Sequence, residues 1–154
     1  MRTSVVLKLH LWVLIVFGLW AGMGLSADEV VLITNMQGGD ATFVSFKDLS
    51  NLYKGRKHSL SGTQVVVVNR QPYESAVAYQ FLRKFLGLDA EQYKLYWLRE
   101  SFRGGAEEPR AVHSLQELIL LMQTTANAIS YVSLEEWEKL REANLEVKKL
   151  NVDG

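Results

Sequence analysis

Four consecutive valines, Val65–Val68, inside the run QVVVVN (Gln64–Asn69), constrain this 154-residue chain more than any other segment. A strand that is apolar on both sides needs cover on both sides, which calls for helices on each face of a sheet. The residues that follow, RQPYESAVAYQF, read as a turn around Pro72 and then a helix opened by Ser75. The same alternation runs along the chain. Glu29–Asn35 (EVVLITN) and Ala128–Val132 read as further buried strands, and Leu145–Val152 as a closing one.

The helices between them are announced by their caps. Ser45 with Asp48 opens a short helix that stops at Gly55, and the helix after Ser75 runs to about Phe85 and closes at Gly87. Asp89 with Gln92 opens an aromatic helix, Ser114 with Glu117 an apolar one, and Ser133 with Glu136 the last. Val132 and Trp137 stand at the staple positions of that last helix. Met36–Ala41, Lys54–Thr63 (basic and glycine-bearing) and Gly104–Pro109 read as loops. The expected fold is α/β, with about four strands in one sheet flanked by helices and parallel pairing favoured.

Residues 1–27 are expected to lie outside that domain. Arg2 and Lys8 precede an uncharged run, Leu11–Leu25, which ends in small residues around Ser26-Ala27. A basic start, a 15-residue apolar core and small residues describe a secretory signal peptide, cleaved after Ser26 or Ala27. The run is shorter than the ~20 residues of a spanning helix, so contact with a membrane is expected only through this segment. Residues 28–154 form the expected domain, exported and slightly acidic, with 15 Lys+Arg against 17 Asp+Glu.

Charge and composition exclude several classes. The whole chain balances 17 basic against 17 acidic residues, which gives no electrostatic ground for nucleic acid as a partner. Without cysteine there is no disulfide framework, thiolate metal site or Cys nucleophile. No G-x-S-x-G elbow, P-loop, H-E-x-x-H or dinucleotide glycine fingerprint occurs. Past the leader the histidines are His58 and His113, neither with a carboxylate at ligand spacing, so no metal or cofactor is expected. The adjacent acids Glu107-Glu108 and Glu135-Glu136 fit a loop and a first helical turn. An enzyme is therefore not expected, since nucleophile, base and metal set are all missing.

Anion chemistry at the strand-to-helix turn remains. A helix start offers unpaired backbone N–H groups and partial positive charge, and Arg70 and Ser75 would add a guanidinium and a hydroxyl. The helices after Ser45, Asp89, Ser114 and Ser133 carry an acid or amide at their third position, whereas the one after Ser75 carries Ala78. Its first amides are thus the least occupied, although Glu74 beside the cap opposes an anion. The plainer alternative is that Ser75 caps its own helix and Arg70 pairs with an acid.

The order of motifs resembles the phosphate transporter substrate-binding proteins, particularly their short relatives. SFKDLSNLYKG (Ser45–Gly55), VVVVNR (Val65–Arg70), SAVAYQFLRKFLG (Ser75–Gly87), YWLRESFRGG (Tyr96–Gly105), Pro109 and NAISYV (Asn127–Val132) carry the likeness, which spans about Val30 to Leu150. The resemblance implies one lobe of the periplasmic binding protein type II fold. It also implies a phosphate wall built from an Arg and a Ser-Gly-Thr at a helix start. Arg70 and Ser75 match that Arg and Ser with one extra residue between them, while Ala76 and Val77 replace the Gly and Thr. Asn127 and Ser130 replace two glycines of the last motif, and the 127 residues after the leader are too few for two full lobes.

Two functions follow. One is a non-enzymatic periplasmic binding module for inorganic phosphate or a similar oxyanion, with Arg70, Ser75 and the amides of Ala76 and Val77 as its wall. On that reading Arg70→Ala abolishes binding with little loss of stability. The other is an envelope interaction or scaffold protein that kept the fold without tight ligand binding, docking a protein partner through a face bearing Tyr93, Tyr96 or Trp97.

Overall fold

The computed structural model describes residues 29–38 and 42–153. The proposed leader, 1–27, lies outside the described residues. Among the described residues, nine strands and five α-helices come in the order β1 (Val30–Thr34), β2 (Phe43–Ser45), α1 (Phe46–Tyr53), β3 (Ser59–Leu60), β4 (Thr63–Gln64), β5 (Val66–Arg70), α2 (Ala76–Phe81), α3 (Ala90–Phe102), β6 (Arg110–Val112), α4 (Leu115–Thr124), β7 (Ala128–Ser133), α5 (Leu134–Glu142), β8 (Lys148–Lys149) and β9 (Asn151–Asp153). Helix α2 continues through a π turn, Leu82–Leu86, and ends at Gly87 with φ +65°.

The central sheet has five strands in the order β6-β5-β7-β1-β8. Side chains along its strands alternate between two cores, as the period of a strand requires. Val30, Leu32, Ile129 and Tyr131 face the side covered by α1, α2 and α3, where Leu49, Leu52, Phe81, Tyr93 and Trp97 pack. Val31, Ile33, Val68 and Val132 face α4 and α5, against Leu118, Leu121, Trp137 and Leu140. The valine run separates two helical layers but is less buried than its composition implies: Val65 and Val68 pack into the first and second cores, Val67 is half-buried and Val66 is exposed. The staple pair Val132 and Trp137 sits in the second core.

Three expectations need correction. Pairing is mixed rather than parallel: β5 runs parallel to β6 and β7, but β1 is antiparallel to both β7 and β8. Helical crossovers join β5 to β6 and β6 to β7, which brings each strand back in the same direction. The path from β1 to β5 instead passes through β2, α1 and the β3–β4 hairpin, so the chain re-enters the sheet at the end where β1 left it. Second, the sheet gains β6, a strand too short and too exposed at Arg110 to announce itself by hydrophobicity. Third, Leu145–Val152 is not one strand. Leu150 turns into the first core and bonds Leu32 O (2.9 Å), dividing β8, beside β1, from β9, which pairs in parallel with β2.

The basic loop is also more ordered than its composition suggests. Ser61 (φ +49°) and Gly62 (φ +79°) turn β3 into β4, both central residues left-handed as a two-residue hairpin favours. Gly55, which closes α1, lies at φ +67°, and a Cβ there would stand 2.6 Å from Ala106 Cβ and 2.9 Å from the Trp97 ring. Gly55→Ala is thus expected to destabilise the domain by at least ~1 kcal/mol, from left-handed strain and overpacking together. Urea unfolding would measure this; an unchanged midpoint would contradict the packing described.

Candidate anion site at the carboxyl edge of the parallel strands

The three parallel strands β5, β6 and β7 end on one edge at Arg70, Val112 and Ser133, and a helix begins after each. At α4, the Ser114 hydroxyl accepts from Glu117 N (3.1 Å) while the Glu117 carboxylate accepts from His113 N (2.7 Å). At α5, Ser133 and Glu136 form a full capping box, with Glu136 N donating to Ser133 Oγ (3.1 Å) and Ser133 N to Glu136 Oε2 (3.0 Å). The start of α2 differs. Ser75 has extended backbone, its hydroxyl makes no cap bond, and its own N–H donates to Pro72 O (2.9 Å). Ala76 is exposed and Val77 half-buried against the first core. Ser75 stands at the N-cap position expected of it but its hydroxyl does not cap the helix, unlike Ser45, Asp89, Ser114 and Ser133.

Arg70 turns away from α2. It is 7% exposed, and its guanidinium grips Glu136 with Nη2 to Oε1 at 2.8 Å and Nη1 to Oε2 at 3.1 Å. The period of a strand explains the direction: Asn69 points to the α1–α3 side and Arg70 to the α5 side, where the first turn of α5 supplies the carboxylate. Burial alone would raise the Glu136 carboxyl, but the Arg70 hydrogen bonds and the Ser133 amide outweigh it and hold the group below the ordinary glutamate value. The expected indifference of stability to Arg70→Ala is therefore overturned. That change strands a carboxylate only 19% exposed, at a cost of about 2–3 kcal/mol.

Asn69, fully buried beside Arg70, is the hub of a polar network. Its Oδ1 accepts from the Tyr131 hydroxyl (2.7 Å) and from Arg70 N (3.2 Å), and its Nδ2 donates to the hydroxyls of Tyr93 (3.0 Å) and Tyr73 (3.3 Å). The Tyr93 hydroxyl donates to Tyr53 O (2.7 Å), and Tyr73 donates to Glu108. Burial holds the hydroxyls of Tyr53, Tyr73, Tyr93 and Tyr131 well above the ordinary tyrosine value, so all four stay neutral donors. The network fixes the turn and the strand end that carries Arg70.

Other candidate groups fall elsewhere. A groove of about 670 Å³ beside the turn is lined by Pro72, Trp97 and Leu98 and by Glu74, Glu107 and Glu108, with Lys94 as its base. Lys94 already pairs with Glu74, so the groove is acidic and does not suit an oxyanion. In the basic loop, Lys57 pairs with Asp48 (2.9 Å) and Arg56 lies over the Tyr96 ring (5.9 Å). His58 and His113 are both exposed, and no group of three potential ligands that could hold a metal ion occurs among the described residues. Tyr93 and Trp97 are buried and Tyr96 is half-buried, so α3 exposes Leu95, Leu98 and Phe102 instead of the aromatics expected on a docking face. No helix among the described residues is long and apolar enough to cross a membrane.

The Arg70–Glu136 pair makes a pH prediction. A carboxyl lowered in the folded state contributes stability that is fully present above its unfolded value, ~4.3. That contribution is lost as pH falls through the lower folded value. Urea midpoints between about pH 5 and pH 3 should fall more steeply for the natural chain than for Glu136→Gln. Parallel curves would contradict the pairing.

No family model matches the sequence, and no curated protein matches it. Solved structures do match. Over 82% of this chain and 48% of its own, PstS from Borrelia burgdorferi superposes with a TM-score of 0.59 at 16% identity. A possible phosphate binding protein from Planctomyces limnophilus gives 0.55 at 9% identity, over 82% of this chain and 42% of its own. A putative phosphate ABC transporter substrate-binding protein from Clostridium perfringens, solved with bound phosphate, gives 0.53 at 19%, over 82% and 46%. The chain thus spans about half the length of the structures it matches. Its fold, a mixed sheet between two helical layers, is that of a single lobe of the phosphate ABC transporter substrate-binding proteins.

Proposed function

We propose that the chain is an exported, non-enzymatic binding protein that takes phosphate or a similar small oxyanion at the carboxyl edge of β5. The observation that carries this is the start of α2. Ser75 Oγ and the amides of Ala76 and Val77 are engaged by no carboxylate of their own helix, whereas α4 and α5 are each closed by a glutamate. Arg70 ends the same strand and is the candidate cation, though its guanidinium is turned to the α5 side, where Glu136 holds it. The fold shared with structures described as phosphate-binding supports the choice of ligand class. Export to the periplasm rests on the leader read in residues 1–27. One wall leaves a ligand half hydrated, so binding is weak and exchangeable compared with a closed two-walled cleft.

A second reading has one observation in its favour: Arg70 is already neutralised by Glu136 and needs no ligand. A chain that kept the lobe as an envelope interaction or scaffold protein would present Leu95, Leu98 and Phe102, since Tyr93 and Trp97 are committed to the core.

Calorimetric titration separates the two. Saturable heat on adding phosphate, weakened in Arg70→Lys, is expected of the binding protein. Lysine keeps a charge for Glu136 but loses the planar fork. No heat at about millimolar phosphate, well beyond the concentration a useful site needs, would favour the scaffold reading.

A further inference from the structure

We propose that Glu136 is the resident anion of the Arg70 site: its carboxylate fills the donors that an external oxyanion would use, and a ligand binds there only by displacing it. This rests on the oxyanion reading above and concerns what controls that site. Three N–H donors converge on the Glu136 carboxylate, two from the Arg70 guanidinium and one from the backbone of Ser133 at the start of α5. A guanidinium fork with a helix-start amide is the donor set that a phosphate or sulfate oxygen pair would seek.

The bond from Ser133 N belongs to the ordinary capping box of α5, and the grip on Arg70 is the part that a first-turn acid does not need. Glu135 turns outward to Lys139 (2.7 Å), as a dipole-complementing acid does, while Glu136 turns inward to a strand 66 residues away in sequence. Of the pair, the side chain nearer solvent is the acid: Glu136 is 19% exposed and Arg70 8%. An arriving anion therefore meets the carboxylate before the guanidinium. Two anions on one guanidinium inside a partly dry site repel, so occupation by one excludes the other.

Glutamine serves the capping box as well as glutamate does, so Glu136→Gln keeps the α5 cap and removes only the charge. Phosphate titrated into the full chain by calorimetry should bind at least ten times more tightly to Glu136→Gln than to the natural chain. Arg70→Ala combined with Glu136→Gln, which leaves no stranded charge, should abolish that gain. Equal affinities would overturn the proposal while leaving the oxyanion reading intact. Weaker binding by Glu136→Gln would overturn it too and make Glu136 a positioning residue for Arg70. A gain that survives in the double variant would place the ligand elsewhere and overturn it. Binding by neither chain would remove the oxyanion reading and this proposal together. Circular dichroism checks that the variants fold. If Glu136→Gln does not, the carbon-13 shift of the Glu136 carboxyl in the natural chain should move at saturating phosphate, and an unmoved shift is the contrary result.

Discussion

Two polar residues at the buried end of β5 have to be satisfied from inside the protein, and much of the structure is arranged to do so. Asn69 and Arg70 follow the valine run directly, at the point where β5 leaves the sheet. An unpaired amide or guanidinium there would cost more than most single packing contacts supply. Because consecutive side chains on a strand face opposite ways, the two cannot share partners. Asn69 draws on tyrosines from the turn, α3 and β7, and Arg70 on a glutamate from α5. The helical layers on both faces are thus tied to one strand end by hydrogen bonds as well as by apolar contact.

This arrangement defines what the carboxyl edge can do. Three helix starts converge there, and two of them are closed by their own glutamates. The third, at Ser75, is closed by no side chain of its own helix, while the Arg70 guanidinium at the same strand end is turned to the α5 side and already paired. In an open parallel sheet, ligands collect at this edge. The acidic groove beside the turn, with Glu74, Glu107 and Glu108, disfavours an anion.

Much of the fold was legible because its signals are local. Cap residues Ser45, Asp89, Ser114 and Ser133 sit where sequence spacing puts them, and each accepts from the predicted backbone N–H. Asn127, standing where the resembled motif has a glycine, adopts φ +55°, a conformation asparagine tolerates. What was not legible is non-local. Spacing from Ser133 marks Glu136 as the capping partner, but nothing near it announces Arg70, which lies on a strand 66 residues away in sequence. The antiparallel course of β1 depends on the path through β2 and the hairpin, which periodicity does not encode. For Tyr93 and Trp97 core packing is the commoner use of such residues, and both are buried. Strand β6 offered too few apolar residues to be read at all.

The central claim, that a small oxyanion binds where β5 gives way to α2, is tested most directly by following backbone amide resonances while phosphate is added. Progressive, saturable shifts centred on Ser75, Ala76 and Val77, with Arg70 and Ser133 moving alongside, are the predicted result. Amides that do not move, or shifts confined to the basic residues Lys54–His58, would contradict it.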